Sequence, residues 1–188
     1  MKNLKTIAIA LFVAAASISV NAQTKKIDVK ASTIKWVGKK VTGEHSGTVN
    51  FKDGAVVLKG KKLVGGTFTV DMNSLTATDL TGEYQGKLNG HLKADDFFGT
   101  EKYPTATLVF KKIAAKTANV YAVTADLTIK GITKPVSFDL TVNANSATTA
   151  FKVDRTKYDI KYNSGNFFQN LGDKTINDDF ELTVALKF

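Results

Sequence analysis

The stretch DFELTVALKF (Asp179–Phe188) alternates without a break: Phe180, Leu182, Val184, Leu186 and Phe188 stand against Asp179, Glu181, Thr183, Ala185 and Lys187. A period of two puts one set of side chains on one face of a pleated strand and the other set on the opposite face. The same rhythm runs back through the chain. Phe68, Val70 and Met72 alternate with Thr67, Thr69 and Asp71, and Tyr121, Val123, Ala125, Leu127 and Ile129 share a face, as do Phe138, Leu140 and Val142. Thr and aromatics enrich these runs, as a half-buried pleat prefers. Roughly eight to ten short strands joined by tight turns predict an all-β, antiparallel barrel or sandwich. Closure into a barrel removes the edges that long apolar strands otherwise present. Lys52-Asp53-Gly54, between Phe51 and Val56, reads as one of the hairpin turns.

The segment 79–92 departs from this rhythm. From Asp79, a candidate N-cap, Leu80, Tyr84, Leu88 and Leu92 fall every four residues and form one helical stripe. Gly82, Gly86 and Gly90 recur on roughly the opposite side, and each interior Gly costs a helix up to about 1 kcal/mol relative to Ala. Such a helix must lean on the barrel, as a lid or as a plug.

The N-terminus has the anatomy of a secretory signal. Lys2 and Lys5 precede an apolar run, Ile7–Val20, and Val20-Asn21-Ala22 places small residues before a cut ahead of Gln23. The run is shorter than the roughly 20 residues a membrane-spanning helix needs. Removing residues 1–22 from the 188 leaves 166, the size of one domain, residues 23–188. The expected location is the periplasm or the medium. With no Cys in the chain, stability must come from packing. The remaining 24 basic and 17 acidic residues give a net charge near +7, and every basic residue but Arg155 is a lysine. Base readout and phosphate clamps favour Arg, so nucleic acid is not the expected partner, whereas transient contact with a membrane surface stays open, as does a homodimer.

The titratable residues do not assemble into a recognisable reaction centre. His45, Glu44, His91, Asp95 and Asp96 are the candidate metal ligands, but zinc sites announce themselves with Cys or His at short fixed spacing, and these two His are 46 positions apart. The chain has no Cys nucleophile, no Gly-x-Ser-x-Gly elbow and no Gly-rich phosphate loop. The adjacent carboxylates Asp95 and Asp96 would point apart on a strand and diverge by about 100° on a helix. Neither metal nor catalysis is expected. What remains is apolar surface: eleven of the twelve Phe, five Tyr and Trp36 follow the signal. A barrel of about eight strands can fill its interior with such residues or hold one small ligand among them.

Five ordered stretches give the chain a resemblance. GHLKADDFFGTEKYPTATLVF (Gly90–Phe110), IKWVGKKVTGEHSGTV (Ile34–Val49), LVGGTFTVDMNSL (Leu63–Leu75), ADLTIKGITKPVSFDL (Ala125–Leu140) and FKVDRTKYDIKYN (Phe151–Asn163) resemble the signatures of the YceI-like family. That family comprises exported lipid-binding proteins with a lipocalin-like barrel. In the last stretch Asp159 stands where the family usually has Gly. The resemblance implies an extended antiparallel barrel of about eight strands with one or two short helices. It further implies a hydrophobic cavity for an isoprenoid or another long-chain amphiphile, with no cofactor beyond that ligand and no established catalysis. Phe68, Met72, Phe97, Phe98, Phe110, Tyr121, Phe138, Phe151 and Tyr158 are the candidate wall. His45, His91 and Arg155 are placed near a cavity end or in the barrel frame. Arg155 suits either a headgroup clamp or an ion pair with Asp154 or Asp159. The alternatives are an outer-membrane barrel, whose alternation would look the same from sequence, and a packed barrel acting through protein contacts.

Overall fold

The structure, a computed structural model, describes residues 21–188; the apolar run read as a signal lies outside them. Nine strands form one antiparallel sheet: β1 Ala22–Lys26, β2 Thr33–Lys40, β3 Gly43–Lys59, β4 Lys62–Ala77, β5 Thr105–Ala115, β6 Val120–Ile129, β7 Ile132–Val142, β8 Ser146–Asp154 and β9 Ile176–Lys187. One helix, α1 Gly82–Lys93, is set between β4 and β5. Strands β2 to β9 close a ring. Each pairs with its chain neighbour, and β2 returns onto β9 with Thr33 opposite Ala185 and Gly38 opposite Phe180. β1 lies outside the ring, along the second half of β3 (Ala22 opposite Lys59, Lys26 opposite Ala55), on the edge that β2 takes along the first half.

The alternation read from the sequence sorts inside from outside. Val123, Ala125, Leu127 and Ile129 of β6 are buried while Thr124, Asp126 and Thr128 face outward, and Phe68 and Met72 of β4 are buried while Thr67 is exposed. The apolar face is therefore the inner one. An outer-membrane barrel needs the reverse, an apolar band outside. Strand length does not separate the two architectures, since β5 has the 11 residues that cross a bilayer at a tilt; it is the outward polar face that does.

Two local readings are corrected. Lys52-Asp53-Gly54 is not a turn but a bulge inside the 17-residue β3, where the register against β4 slips between Phe51 and Asp53 and the Asp53 carboxylate accepts the Gly54 amide at 2.8 Å. Asp and Gly serve bulges as readily as turns. Asp79 does not cap α1. Thr81 holds the N-cap position without a side-chain bond, and Asp79 instead accepts from the His45 Nδ1–H at 2.8 Å and the Ser46 amide at 3.1 Å. Within Phe151–Asn163, β8 stops at Asp154, whose carboxylate accepts the Thr156 amide, and a 3-10 turn follows over Arg155–Tyr158. That turn ends at Asp159 with φ +59°, the left-handed region that explains a family preference for Gly there.

The strand ends define two poles. At one lie the β2–β3 turn, α1 with the turn after it, Lys130-Gly131, and residues 155–175. At the other lie β1 with its link to β2, and the β3–β4, β5–β6 and β7–β8 turns. Buried Ile27, Leu58, Leu63 and Tyr121 fill this second end, and the Tyr121 hydroxyl donates to the Lys61 carbonyl at 3.4 Å, drawing the β3–β4 tip inward. We call them the helix pole and the sealed pole.

Candidate ligand cavity

Inside the ring is a cavity of about 230 Å³. Its lining on β9 extends from Ile176 to Leu186. Ten steps at about 3.3 Å per residue make roughly 33 Å along the strand, or roughly 25 Å of depth at a barrel tilt near 40°. The shape is long and narrow. The phenylalanines of the wall make a continuous belt: Phe51 of β3, Phe68 of β4, Phe110 of β5, Phe138 of β7 and Phe151 of β8, with successive ring centroids 6.1, 5.5, 6.1 and 4.7 Å apart. Tilted and offset pairs at such distances add about 0.5–1.5 kcal/mol each beyond the area they bury. The belt crosses the one weak joint of the ring. β7 and β8 share only two paired positions, Thr141–Thr148 and Val142–Ala147; beyond them the joint is held by the Thr149 hydroxyl donating to the Asp139 carbonyl at 2.7 Å and by the Phe138–Phe151 stack.

Polar groups enter the lining almost solely at the helix pole: Lys39, Lys40, His45, Arg155, Asn177 and Asp179, with Thr149 at the β7–β8 joint. Lys39 pairs with Glu181 at 3.0 Å and His45 with Asp79. Burial works to raise the Asp79 carboxyl, but the hydrogen bonds from His45 and the Ser46 amide outweigh it and hold the group below its ordinary value. Leu88 and Leu92 of α1 complete the roof. The helix is tied to the barrel by polar bonds: the Asn89 carboxamide accepts the Ala77 amide at 2.8 Å, Gln85 donates to the Ala77 carbonyl at 2.8 Å, and Lys93 donates to the Asn73 carbonyl at 2.7 Å. Only half of the expected stripe faces inward, for Tyr84 is 74% exposed under the Lys87 ammonium.

Of the candidates, Phe68, Met72, Phe97, Phe98, Phe110, Phe138, Phe151 and Arg155 line the cavity. Tyr121, Tyr158 and His91 do not. Tyr121 shares the inward face with Leu127 and Ile129, but lies so near the sealed end that it closes the floor. Tyr158 leaves the barrel wall in the 3-10 turn and packs beside Pro135, Ser137 and Lys152 in a small polar recess, where burial, reinforced by Asp154, pushes its hydroxyl up to about 12. His91, in the last turn of α1, stands edge-on between Phe97 (5.2 Å) and Tyr162 (4.6 Å). Phe97 in turn lies 5.7 Å under the Arg155 guanidinium. Arg155 itself is 3% exposed and donates to three main-chain carbonyls, Ile160 at 2.8 Å, Asn177 at 3.0 Å and Ile176 at 3.1 Å, with Asp178 rather than Asp154 or Asp159 as its ion-pair partner at 3.6 Å. Burial pulls its pKa below the ordinary value against the pull of Asp178 and Asp154. Asp95 pairs with Lys102 at 2.6 Å in the exposed turn after α1, and Asp96 is exposed beside it. Among the described residues no three His, Asp or Glu come together.

Sequence reasoning passed over Ile34 and Trp36 of β2, Phe51, Leu108, Phe180, Leu182, Val184 and the helix pair Leu88 and Leu92 as wall residues. Their period-two or every-fourth spacing was visible; only closure of the ring shows which face the cavity takes. Gly47, in the Ile34–Val49 stretch, also acquires a reason. A Cβ at Gly47 would stand 1.9 Å from the Thr76 carbonyl oxygen and 2.6 Å from the Trp36 ring, so β3 can pass between them only as glycine.

A family model described as YceI-like domain matches residues 25–188. The chain belongs to the YceI-like family. Among curated relatives, a UPF0312 protein of Shewanella denitrificans is 32% identical over 91 residues, 48% of this chain and 46% of that protein. A UPF0312 protein of Staphylococcus aureus is 35% identical over 86 residues, 40% of this chain and 47% of that one. The chain spans about half the length of these curated relatives. Three solved structures share the YceI-like barrel. BcnA of Burkholderia cenocepacia superposes with a TM-score of 0.68 at 23% identity, covering 85% of this chain and 98% of that one. A polyisoprenoid binding domain from Saccharophagus degradans gives 0.56 at 18%, covering 86% and 95%. The YCEI protein of Campylobacter jejuni gives 0.53 at 17%, covering 100% and 92%.

Proposed function

We propose that this YceI-like protein is an exported carrier, which sequesters a long-chain hydrophobic amphiphile in its barrel: a polyisoprenoid, a quinone or a fatty-acid derivative. The observation that carries the reading is the cavity itself, a narrow channel walled by a phenylalanine belt and polar almost solely at one end. A chain of methylene or isoprene units gains about 25 cal/mol for each Å² of apolar surface it leaves in such a wall. The polar head would then rest at the helix pole by Lys40, His45 and Asn177. The solved relative from Saccharophagus degradans is described as a polyisoprenoid binding domain, which supports the same ligand class. Cleavage near Ala22 would release the barrel to the periplasm or the medium. The reading assigns the protein no chemical step.

The test is native mass spectrometry of the protein purified gently from its host's envelope or medium, followed by organic extraction. The expected result is a discrete added mass whose extract is a prenyl, quinone or acyl compound. A folded Phe110→Asp variant, with a charge set into the belt, should lose most of its uptake of a fluorescent fatty acid. An empty, folded protein that also refuses such probes would overturn the proposal and move the weight to a barrel acting through protein contacts.

A further inference from the structure

The two poles differ in charge far more than in shape. Residues 22–33, 57–64, 112–121, 142–147 and 185–188, which make the sealed pole, carry nine lysines and one acidic side chain, Asp28. The corresponding segments of the helix pole, 38–45, 77–104, 129–133 and 154–178, carry ten basic and ten acidic residues. Several of those are paired, as in Lys87–Glu83, Lys102–Asp95 and Lys161–Asp159. The net positive charge of the chain is thus concentrated at the sealed end. Asp28, whose carboxylate accepts from the amides of Lys30 and Ala31, offsets one of those charges. Lys25 and Lys116 are engaged with the Ala144 carbonyl and Asp139, but Lys26, Lys30, Lys59, Lys61, Lys62 and Lys187 are exposed and form no salt bridge among the described residues. They sit on separate strand ends and turns, spread over a cap and not gathered in a groove.

A second observation points to the same surface. β1 opens at Ala22 opposite Lys59, so the chain preceding it, with the apolar run Ile7–Val20, joins the barrel at this pole. We propose that the sealed pole is a docking surface for an anionic phospholipid bilayer, with the helix pole and its polar lining directed away from it. Lysine point charges on a broad cap suit a field of phosphodiester headgroups, whereas nucleic acid is gripped by Arg forks and stacked aromatics, which this pole lacks. Each lysine brought near an anionic leaflet multiplies partition by about fivefold, within a screening length of about 8 Å at physiological salt. The inference does not depend on what the cavity holds.

The test uses the chain from Gln23, which retains the whole eight-strand ring and loses only Ala22 from β1, so that the apolar run contributes nothing. Co-flotation is measured with vesicles of phosphatidylcholine alone and of an equal mixture with phosphatidylglycerol, at low and physiological salt. The expected result is partition onto the mixed vesicles that weakens with salt. The triple variant Lys59→Glu, Lys61→Glu, Lys62→Glu should reduce it by at least about 100-fold, from the fivefold factor per lysine. Lys26→Glu with Lys30→Glu gives an independent variant should the first fail to fold. A helix-pole triple, Lys87→Glu, Lys157→Glu, Lys174→Glu, changes net charge equally and should bind as the parent does. Equal losses from both poles, no preference for phosphatidylglycerol, or binding to soluble polyglutamate but not to vesicles would each overturn the proposal. Uptake of a fluorescent fatty acid should be the same in all variants, which keeps a failure of docking distinct from a failure of the carrier reading.

Discussion

Replacing Arg155 by Met asks whether the one arginine of the chain serves the frame or the ligand. Its guanidinium donates to the carbonyls of Ile160, Asn177 and Ile176 at 2.8 to 3.1 Å and lies 3.6 Å from Asp178, all at 3% exposure. Methionine fills a similar volume but leaves three buried acceptors and a carboxylate that is itself only 19% exposed. An orphaned buried group costs about 1–3 kcal/mol, and breaking a buried pair about 3–5 kcal/mol, with the new apolar packing offsetting part of the sum. A net loss of about 3–5 kcal/mol follows, a large share of the roughly 5–15 kcal/mol that holds a domain together. At about 2–4 °C per kcal/mol for a chain of this size, Tm should fall by roughly 6–20 °C. Urea unfolding followed by the single tryptophan, Trp36, measures the loss directly. For the binding side, Arg155→Gln is titrated with anionic and neutral amphiphiles of equal chain length. A frame residue leaves the ratio of the two affinities unchanged. A stability loss below about 1 kcal/mol, together with a tenfold fall in preference for the anionic head, would refute the assignment and make Arg155 a clamp.

Three further outcomes are expected. Gly47→Ala drives a methyl into the Thr76 carbonyl at 1.9 Å and the Trp36 ring at 2.6 Å; overpacking of this kind costs about 1–3 kcal/mol, and urea denaturation with the Trp36 emission maximum as second readout should show both the loss and a changed indole environment. Asp159, at φ +59°, is replaced by Gly without penalty, whereas Asp159→Val should lower stability by about 1–2 kcal/mol; a thermal melt in which Val equals Gly would contradict a left-handed backbone there. The folded-state pKa of Asp79 lies below its ordinary value, so its contribution to stability is present above the ordinary carboxylate range and is lost as pH falls through the folded value. Asp79→Asn should therefore lower Tm at neutral pH and flatten the acid limb of the Tm–pH profile, and an unchanged acid limb would show that the His45–Asp79 bond carries no such weight.

Much of the barrel could be read from spacing alone, because a sheet with one buried face writes its period into every strand: Phe180 to Phe188 and Tyr121 to Ile129 needed no structure to be paired into faces. What spacing leaves out is closure. Tyr121 and Leu127 share a face, yet one seals the floor and the other lines the cavity, and that difference is set by where the β3–β4 tip folds over the end. Asp53-Gly54 shows a second limit, since a turn and a bulge ask for the same residues and only the partner strand decides between them. Tyr158 shows a third: its aromatic ring suited a wall, but the Asp154 cap and the left-handed Asp159 carry it out of the strand altogether. The polar end of the cavity was partly visible in His45, while Lys39, Lys40 and Asn177 looked like ordinary surface residues until β2 and β9 met.

That meeting of β2 and β9 also sets the order of events in the life of the chain. The ring is joined by partners such as Thr33 and Ala185, near opposite ends of the described sequence. No fragment that stops before β9 can complete the barrel, however well its hairpins form, because the closing strand follows all the others in the chain. Contacts between such distant residues are slow to find one another. Without Ile176–Lys187 the sheet would keep the unpaired edges of β2 and β8 and an open apolar face. Once that strand is in place, unravelling requires the hoop to break first.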